Sequence, residues 1–314
     1  MARPVLLVVT PFDAAALAPL LEGFEIVDWR SLAQPGEFCA RRGAEVRAMM
    51  TNGIAGVPAA CRDALPNLAL IACNGVGHDA IDLAWAAQRG IRVTTTPEVL
   101  SGDVADLALA LMLATFRRIP AADRHVRDGA WAGGTAFPLA RRFWGSRVGI
   151  LGMGRIGRLV AQRVAAFDTS VAYCGRSRQP DLPHPFHDTP RALAAWADVL
   201  VVATPGGAGT HHLVAAPELE ALGPRGVLVN IARGSVVDQQ ALVRLLQAGQ
   251  LAGAGLDVFE DEPRVPAALA ALPQVVLTPH IASATVETRR AMAALVVENI
   301  QRFAQGRPLA TAVN

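Results

Sequence analysis

The sequence lacks lysine altogether: all twenty-nine basic side chains among its 314 residues are arginine. That absence excludes a Schiff-base lysine and a P-loop lysine. It also excludes a Tyr/Lys hydride-transfer pair, since the single tyrosine, Tyr173, has no lysine to work with. Dehydrogenases that depend on a catalytic lysine go with them. Cysteine is scarce, at four residues, and Cys39, Cys61, Cys73 and Cys174 show no CxxC spacing. A disulfide framework or zinc site is therefore not expected, and these read as reduced, mostly buried thiols with no metal. Long apolar runs are missing too. The N-terminal MARPVLLVVTP has one arginine and too short an apolar stretch for a signal peptide, and it reads as a buried strand. Leu107–Phe116, closed off by Asp106 and by Arg117 and Arg118, is far too short to span a bilayer. A soluble, cytoplasmic protein is expected. A net charge of +2 gives no field that would make nucleic acid or an anionic membrane the main partner.

What the chain does have is length for two domains and 52% hydrophobic residues to fill two cores. Strand signals at Val5–Val9 and near Ile26, Val46, Leu68–Ala72 and Ile91–Thr94 alternate with helical patterns such as Ala14–Leu21. A long amphipathic pattern, Leu100–Arg118, has the length to bridge two lobes; Asp128–Arg142, rich in Gly, Ala and Pro, reads as a loop or arm. A second alternating series follows, with strands at Val148–Leu151, Ser170–Cys174, Val199–Ala203, Val227–Ile231, Ala254–Val258 and Val275–Thr278. The last helix, Val286–Ala304, comes after that series is complete and is expected to return to the first lobe. The predicted class is α/β, with two doubly wound parallel-sheet lobes. A domain of residues 100–285 would interrupt another made of residues 1–99 and 286–314.

The stretch RVGILGMGRIG, Arg147–Gly157, organises the rest. An apolar strand stops on three glycines: Gly152 for a tight turn, Gly154 for close approach to a pyrophosphate, and Gly157 for packing of the next helix on the strand. Arg155 and Ile156 open that helix, Arg158–Phe167 continues it, and its free N–H groups point at the anion. About twenty residues on, such lobes place an acidic residue against the adenine ribose. Here that place reads Cys174, Gly175, Arg176, Ser177, Arg178. Two guanidiniums beside a hydroxyl suit a 2′-phosphate, so NADPH is expected over NADH, which remains a weaker alternative; the rival reading is a solvated basic turn. Three further segments are polar just after apolar strands: Asn230–Gly234, LDVFEDEP at 256–263 and TPHIASAT at 278–285. Ligands of open α/β sheets bind beyond the carboxyl ends of strands, so an arginine, a carboxylate and a histidine could meet in one cleft.

With NGVGHDAID at 74–82, TPEVLSGDVADLALALMLA at 96–114 and NIARGSVVD at 230–238, these motifs run in order along nearly the whole chain. It resembles the D-isomer-specific 2-hydroxyacid dehydrogenases, and within them the glyoxylate/hydroxypyruvate (or hydroxyphenylpyruvate) reductases. The resemblance implies a Rossmann cofactor domain inserted into a flavodoxin-like substrate domain. It places the catalytic arginine, glutamate and histidine on Arg233, Glu262 and His280. Reduction of a 2-keto acid needs a proton for the keto oxygen, which His280 would supply as general acid. Glu262 would fix the ring's tautomer and raise its pKa. Arg233 would clamp the substrate carboxylate and polarise the keto oxygen. Glu260 and Asp261 compete with Glu262; the resemblance favours Glu262, which alone sits before the proline, Pro263, as in the family.

By the same similarity, backbone N–H groups of Val76 and Gly77 hold the carboxylate's other side, Asp257 lies near the nicotinamide carboxamide, and Ser283 supports the histidine. Thr204 and Pro205 line the adenosine side, and Thr210 belongs to the same loop. Trp131, Phe137 and Trp144 fall in the arm where the family makes its dimer contacts, so a homodimer is expected, with a cleft that closes over substrate. Two departures stand out. Asp168 replaces a helix-closing glycine, and His78 sits at a variable position of the substrate loop. Aromatic or sugar-derived keto acids remain alternatives, and a nucleotide-sensing corepressor is a more distant one.

Overall fold

Short runs of β-branched and large aliphatic residues become strands, the inner ones buried on both faces and the edge strands Glu25–Asp28 and Val275–Leu277 half-buried. In the computed structural model, which describes residues 3–314, the chain divides into two units. One comprises the residues up to Leu100 together with Thr285–Asn314, the other Ser101–Ala284.

The first unit runs β1 (Val5–Val8), α1 (Ala14–Leu17), β2 (Glu25–Asp28), α2 (Pro35–Arg42), β3 (Val46–Thr51), β4 (Leu70–Cys73), α3 (Leu83–Gln88) and β5 (Arg92–Thr94). All strand pairs are parallel, in the order β2-β1-β3-β4-β5. Alternate side chains fill different cores: Val5 and Leu7 join Met49 and Ile71, while Leu6 and Val8 join Met50 and Leu70. The helix expected over Ala14–Leu21 is cut short, because Ala18–Leu20 tightens into a 3₁₀ turn around Pro19, which has no N–H to continue the α ladder.

The second unit begins with α4 (Ser101–Arg117), and Arg118 then turns left-handed at φ 52°. A helix that the sequence reading did not foresee follows, α5 (Ile119–Arg127), with Pro120 in its first turn. Beyond it come β6 (Arg147–Leu151), α6 (Arg155–Ala165), β7 (Ser170–Cys174), α7 (Pro190–Trp196), β8 (Val199–Val202) and α8 (Ala216–Leu222). Then follow β9 (Val227–Asn230), α9 (Gln239–Gln247), β10 (Gly253–Leu256), α10 (Ala267–Ala270) and β11 (Val275–Leu277). The last helix, α11 (Val286–Ala304), packs Val296, Val297 and Ile300 onto the first unit's sheet beside Leu6 and Met50. Asp168 adopts φ 52° just after α6, a left-handed conformation that aspartate tolerates, and its carboxylate accepts a 2.6 Å hydrogen bond from Trp144 Nε1.

The second sheet is also all parallel, in the order β11-β10-β9-β8-β6-β7. Its register lines up the carboxyl ends: Leu151 lies opposite Cys174 and Val202, Val202 opposite Asn230, and Leu256 opposite Asn230 and Leu277. One row of strand ends therefore delivers the glycine turn, the basic turn and all three polar segments. The order reverses between β6 and β8, where a crevice for a ligand opens in such sheets. Among the described residues, no helix is long and apolar enough to cross a membrane.

Candidate functional site

The glycine turn leaves the end of β6 pressed against the end of β8. Gly152 has φ 100°, and a Cβ there would stand 2.8 Å from Ala203 carbonyl carbon and Thr204 nitrogen. A Cβ on Gly157 would lie 2.2 Å from Gly152 carbonyl oxygen, so α6 can approach its strand only through glycine. Gly154, at the N-cap of α6, faces open space and offers no side-chain cap. The first turn of α6, with Arg155 and Ile156, thus has N–H groups and room for a diphosphate beside them. These features fit a dinucleotide.

The turn after β7 carries Arg176, Ser177 and Arg178, all exposed, and among the described residues neither guanidinium has a hydrogen-bond or ion-pair partner. Tyr173, fully buried, accepts a 2.7 Å bond from Gln179 N, and Gln179 Nε2 donates to Met153 O at 3.0 Å. Arg158 on α6 pairs with Asp181 at 2.7 Å. Tyr173, Arg158, Gln179 and Asp181 therefore hold the basic turn beside the glycine turn, a support that no spacing in the sequence announced. At the end of β8, Thr204 is half-buried and Pro205 exposed; Thr210 Oγ donates to Pro205 O at 2.8 Å and closes the loop on itself.

The catalytic candidates come together on the neighbouring strand ends. Asn230, buried at the end of β9, donates from Nδ2 to Arg233 O and accepts from Ala232 N, which shapes the turn presenting Arg233. Arg233 is half-buried, and its Nη1 donates to Ala232 O at 2.7 Å. At Gly234 a Cβ would meet Phe259 carbonyl carbon at 1.9 Å, so glycine lets the arginine turn lie directly on the turn after β10. Glu262 on that turn accepts from Phe259 N at 3.0 Å and from His280 Nδ1 at 2.7 Å. Both side chains are partly shielded, with 20% of Glu262 and 32% of His280 exposed. The other acids of the run are committed elsewhere: Glu260 to His212 at 2.6 Å and Asp261 to Arg264 at 2.7 Å. Burial opposes ionisation of Glu262, but the bonds from His280 and Phe259 N, with the charges of His280 and Arg233, bring its pKa below the ordinary 4.5.

Asp257, expected near the nicotinamide carboxamide, has its carboxylate turned into the strand-end loop. It is fully buried, and its oxygens accept from Thr278 Oγ at 2.6 Å, Ile281 N at 2.8 Å and Ala282 N at 2.9 Å. Its carbonyl accepts His280 N at 2.9 Å, and His280 itself has φ 53°. Asp257 thus anchors the loop that carries the histidine. Ser283 is half-buried on that loop, and among the described residues no hydrogen bond joins it to the ring it was expected to support. In the first unit, Val76 and Gly77 lie on the turn after β4; Val76 is exposed, and His78 Nδ1 turns back toward Val76 O at 3.3 Å. Among the described residues, no cluster of His, Cys, Asp and Glu could hold a metal ion.

A parallel sheet with a diphosphate turn, and beside it an arginine and a carboxylate-bound histidine, defines a nicotinamide-dinucleotide-dependent oxidoreductase. The chain belongs to the D-isomer specific 2-hydroxyacid dehydrogenases: the model of that family's NAD binding domain matches residues 109–282. Hydroxyphenylpyruvate reductase of Plectranthus scutellarioides is 47% identical over 285 residues, covering 91% of this chain and 90% of that protein. The 2-ketogluconate reductase of Gluconobacter oxydans is 43% identical over 311 residues, 99% of each. Among solved structures, NADPH-dependent glyoxylate/hydroxypyruvate reductase of Sinorhizobium meliloti, in complex with NADP and malonate, superposes with a TM-score of 0.93 at 42% identity. That match covers 99% of this chain and 97% of the other.

The lowered Glu262 pKa fixes the sign of a pH effect. Stability contributed by this carboxylate is full above the unfolded value of 4.5 and is lost as pH falls through the lower folded value. Melting temperatures of wild type and Glu262→Gln should therefore differ most near neutrality and converge in acid; a gap that widens below pH 4.5 would contradict the assignment.

Proposed function

We propose that the protein uses NADPH to reduce small 2-keto acids, glyoxylate and hydroxypyruvate foremost, to 2-hydroxy acids. The observation that carries this reading is the 2.7 Å bond from His280 Nδ1 to Glu262, which leaves Nε2 for a substrate oxygen. A carboxylate on the far nitrogen fixes the ring's orientation, so that Nε2 is the nitrogen that gives its proton to a keto oxygen. Arg233, a permanent planar cation on the adjoining turn, is suited to hold the substrate carboxylate and draw charge toward the keto oxygen. When bound, the nicotinamide supplies hydride to the keto carbon. We also assign the backbone N–H groups of Val76 and Gly77, on the turn after β4, to substrate binding.

Cofactor binding is assigned to Gly152, Gly154, Arg155, Ile156 and Gly157 for the diphosphate and to Thr204, Pro205 and Thr210 along the adenosine. Arg176, Ser177 and Arg178 are assigned to the 2′-phosphate. The two guanidiniums, unpaired among the described residues, support NADPH over NADH, since a carboxylate there would repel a phosphate. Ser283 is assigned to the substrate side through its position on the histidine loop. We also read the protein as a cytoplasmic homodimer. Four buried free thiols fit a reducing compartment, and exposed Ile119, Val126, Trp131, Leu139 and Trp144 fit a self-association surface.

A larger keto acid is the second reading, favoured by relatives that reduce hydroxyphenylpyruvate and 2-ketogluconate. Steady-state kcat/KM across glyoxylate, hydroxypyruvate, hydroxyphenylpyruvate and 2-ketogluconate should rank the two small acids first, and the reverse ranking would select the second reading. His280→Ala and Arg233→Gln should each cost activity by about 100- to 10,000-fold while NADPH still binds; near-normal turnover would reject the assignment. Arg176→Ala with Arg178→Ala should weaken NADPH by roughly 10- to 100-fold and barely change NADH, whereas equal losses would place the turn away from the 2′-phosphate.

A further inference from the structure

A second histidine–carboxylate pair lies two residues along the same turn. His212 Nε2 donates to Glu260 Oε1 at 2.6 Å, and the same oxygen accepts Gln239 N at 3.4 Å, at the start of α9. His212 ends the loop that leaves β8, Pro205–Gly206–Gly207–Ala208–Gly209–Thr210, whose three glycines give it almost no side chain to pack. Such a segment loses much backbone entropy on ordering, so whatever restrains its ends decides its position. At the near end, Thr210 Oγ bonds to Pro205 O at 2.8 Å. At the far end, His212 N donates to Ser235 O at 2.8 Å, and the ring reaches Glu260.

His212 holds φ 49°, a conformation that disfavours a residue with a Cβ and is kept where side-chain or backbone bonds compensate. The His211 ring stacks on it with centroids 4.0 Å apart. The pair is partly exposed, at 38% and 27%, and so adds little to global stability. Its effect is positional, because Glu260 and Glu262 share one short turn that Gly234 brings against the arginine segment.

We propose that His212 and Glu260 are positioning residues that latch the glycine-rich loop to the turn carrying Glu262, holding that loop in the shape that receives the dinucleotide. This rests on the reading that the loop borders the cofactor. Loss of the latch lets the loop sample many conformers, so affinity for the dinucleotide falls while the acid pair and keto-acid handling persist.

The test is NADPH titration by fluorescence, with steady-state kinetics and melting curves, on the full chain. His212→Ala and Glu260→Ala should each raise the NADPH Kd about tenfold, with kcat at saturating NADPH and keto-acid KM within about twofold of wild type. The double variant should be no worse than either single, because one interaction is removed either way. His212→Gln and Glu260→Gln, which keep a donor and an acceptor, should restore most of the affinity. Unchanged NADPH affinity in the alanine variants, losses that add in the double variant, or a fall in kcat with Kd intact would overturn the latch. Failure of the wild-type protein to bind NADPH would instead overturn the underlying reading of the loop, and the latch with it.

Discussion

The buried carboxylate of Asp257 is the constraint on which the catalytic end depends. A carboxylate removed from water is costly unless its oxygens are bonded, and Asp257 is satisfied by one hydroxyl and two backbone N–H groups of the loop after β11. That requirement ties β10 to β11 beyond the last ladder pair and turns His280 left-handed, its nitrogen on Asp257 O. With the ring so placed, Glu262 reaches it from the next turn. The His280 backbone is thus held by a carboxylate other than the one its ring bonds.

Three acids in sequence, Glu260, Asp261 and Glu262, look alike on paper, yet each serves a different partner. Asp261 forms a surface pair with Arg264 that contributes little to stability. Glu260 reaches His212 and the start of α9, and Glu262 reaches His280. Direction along one short turn separates an exposed ion pair, a bond to His212 and a bond to His280. The same economy appears in the arginines: Arg158 and Arg147 are taken up by Asp181 and Asp198, while Arg176 and Arg178 stand unpaired among the described residues.

Much of this was legible in the sequence because it is local. Strand positions in both sheets follow from apolar runs, and most boundaries agree within two residues. The two helical discrepancies have local causes in Pro19 and in left-handed Arg118 followed by Pro120. The glycine turn was legible too, since each glycine meets its own steric demand. Glu262 was separable from its neighbours only through the proline after it. The roles of Asp257, Asn230, Gly234, Tyr173 and Gln179 were not legible, because each works through a partner on another strand end or turn.

By itself, the sequence determined that the chain makes two parallel α/β sheets, that a tight glycine turn follows β6, and that no lysine chemistry operates. Those conclusions depend on side-chain volume, backbone freedom and composition, which are properties of residues and their near neighbours. The tertiary structure alone decided which acid meets which histidine, and it turned Asp257 inward. Hydrogen bonds of this kind are set by strand register and loop direction, and register lines up Leu151, Val202, Asn230 and Leu256 across the sheet although they stand far apart in the chain.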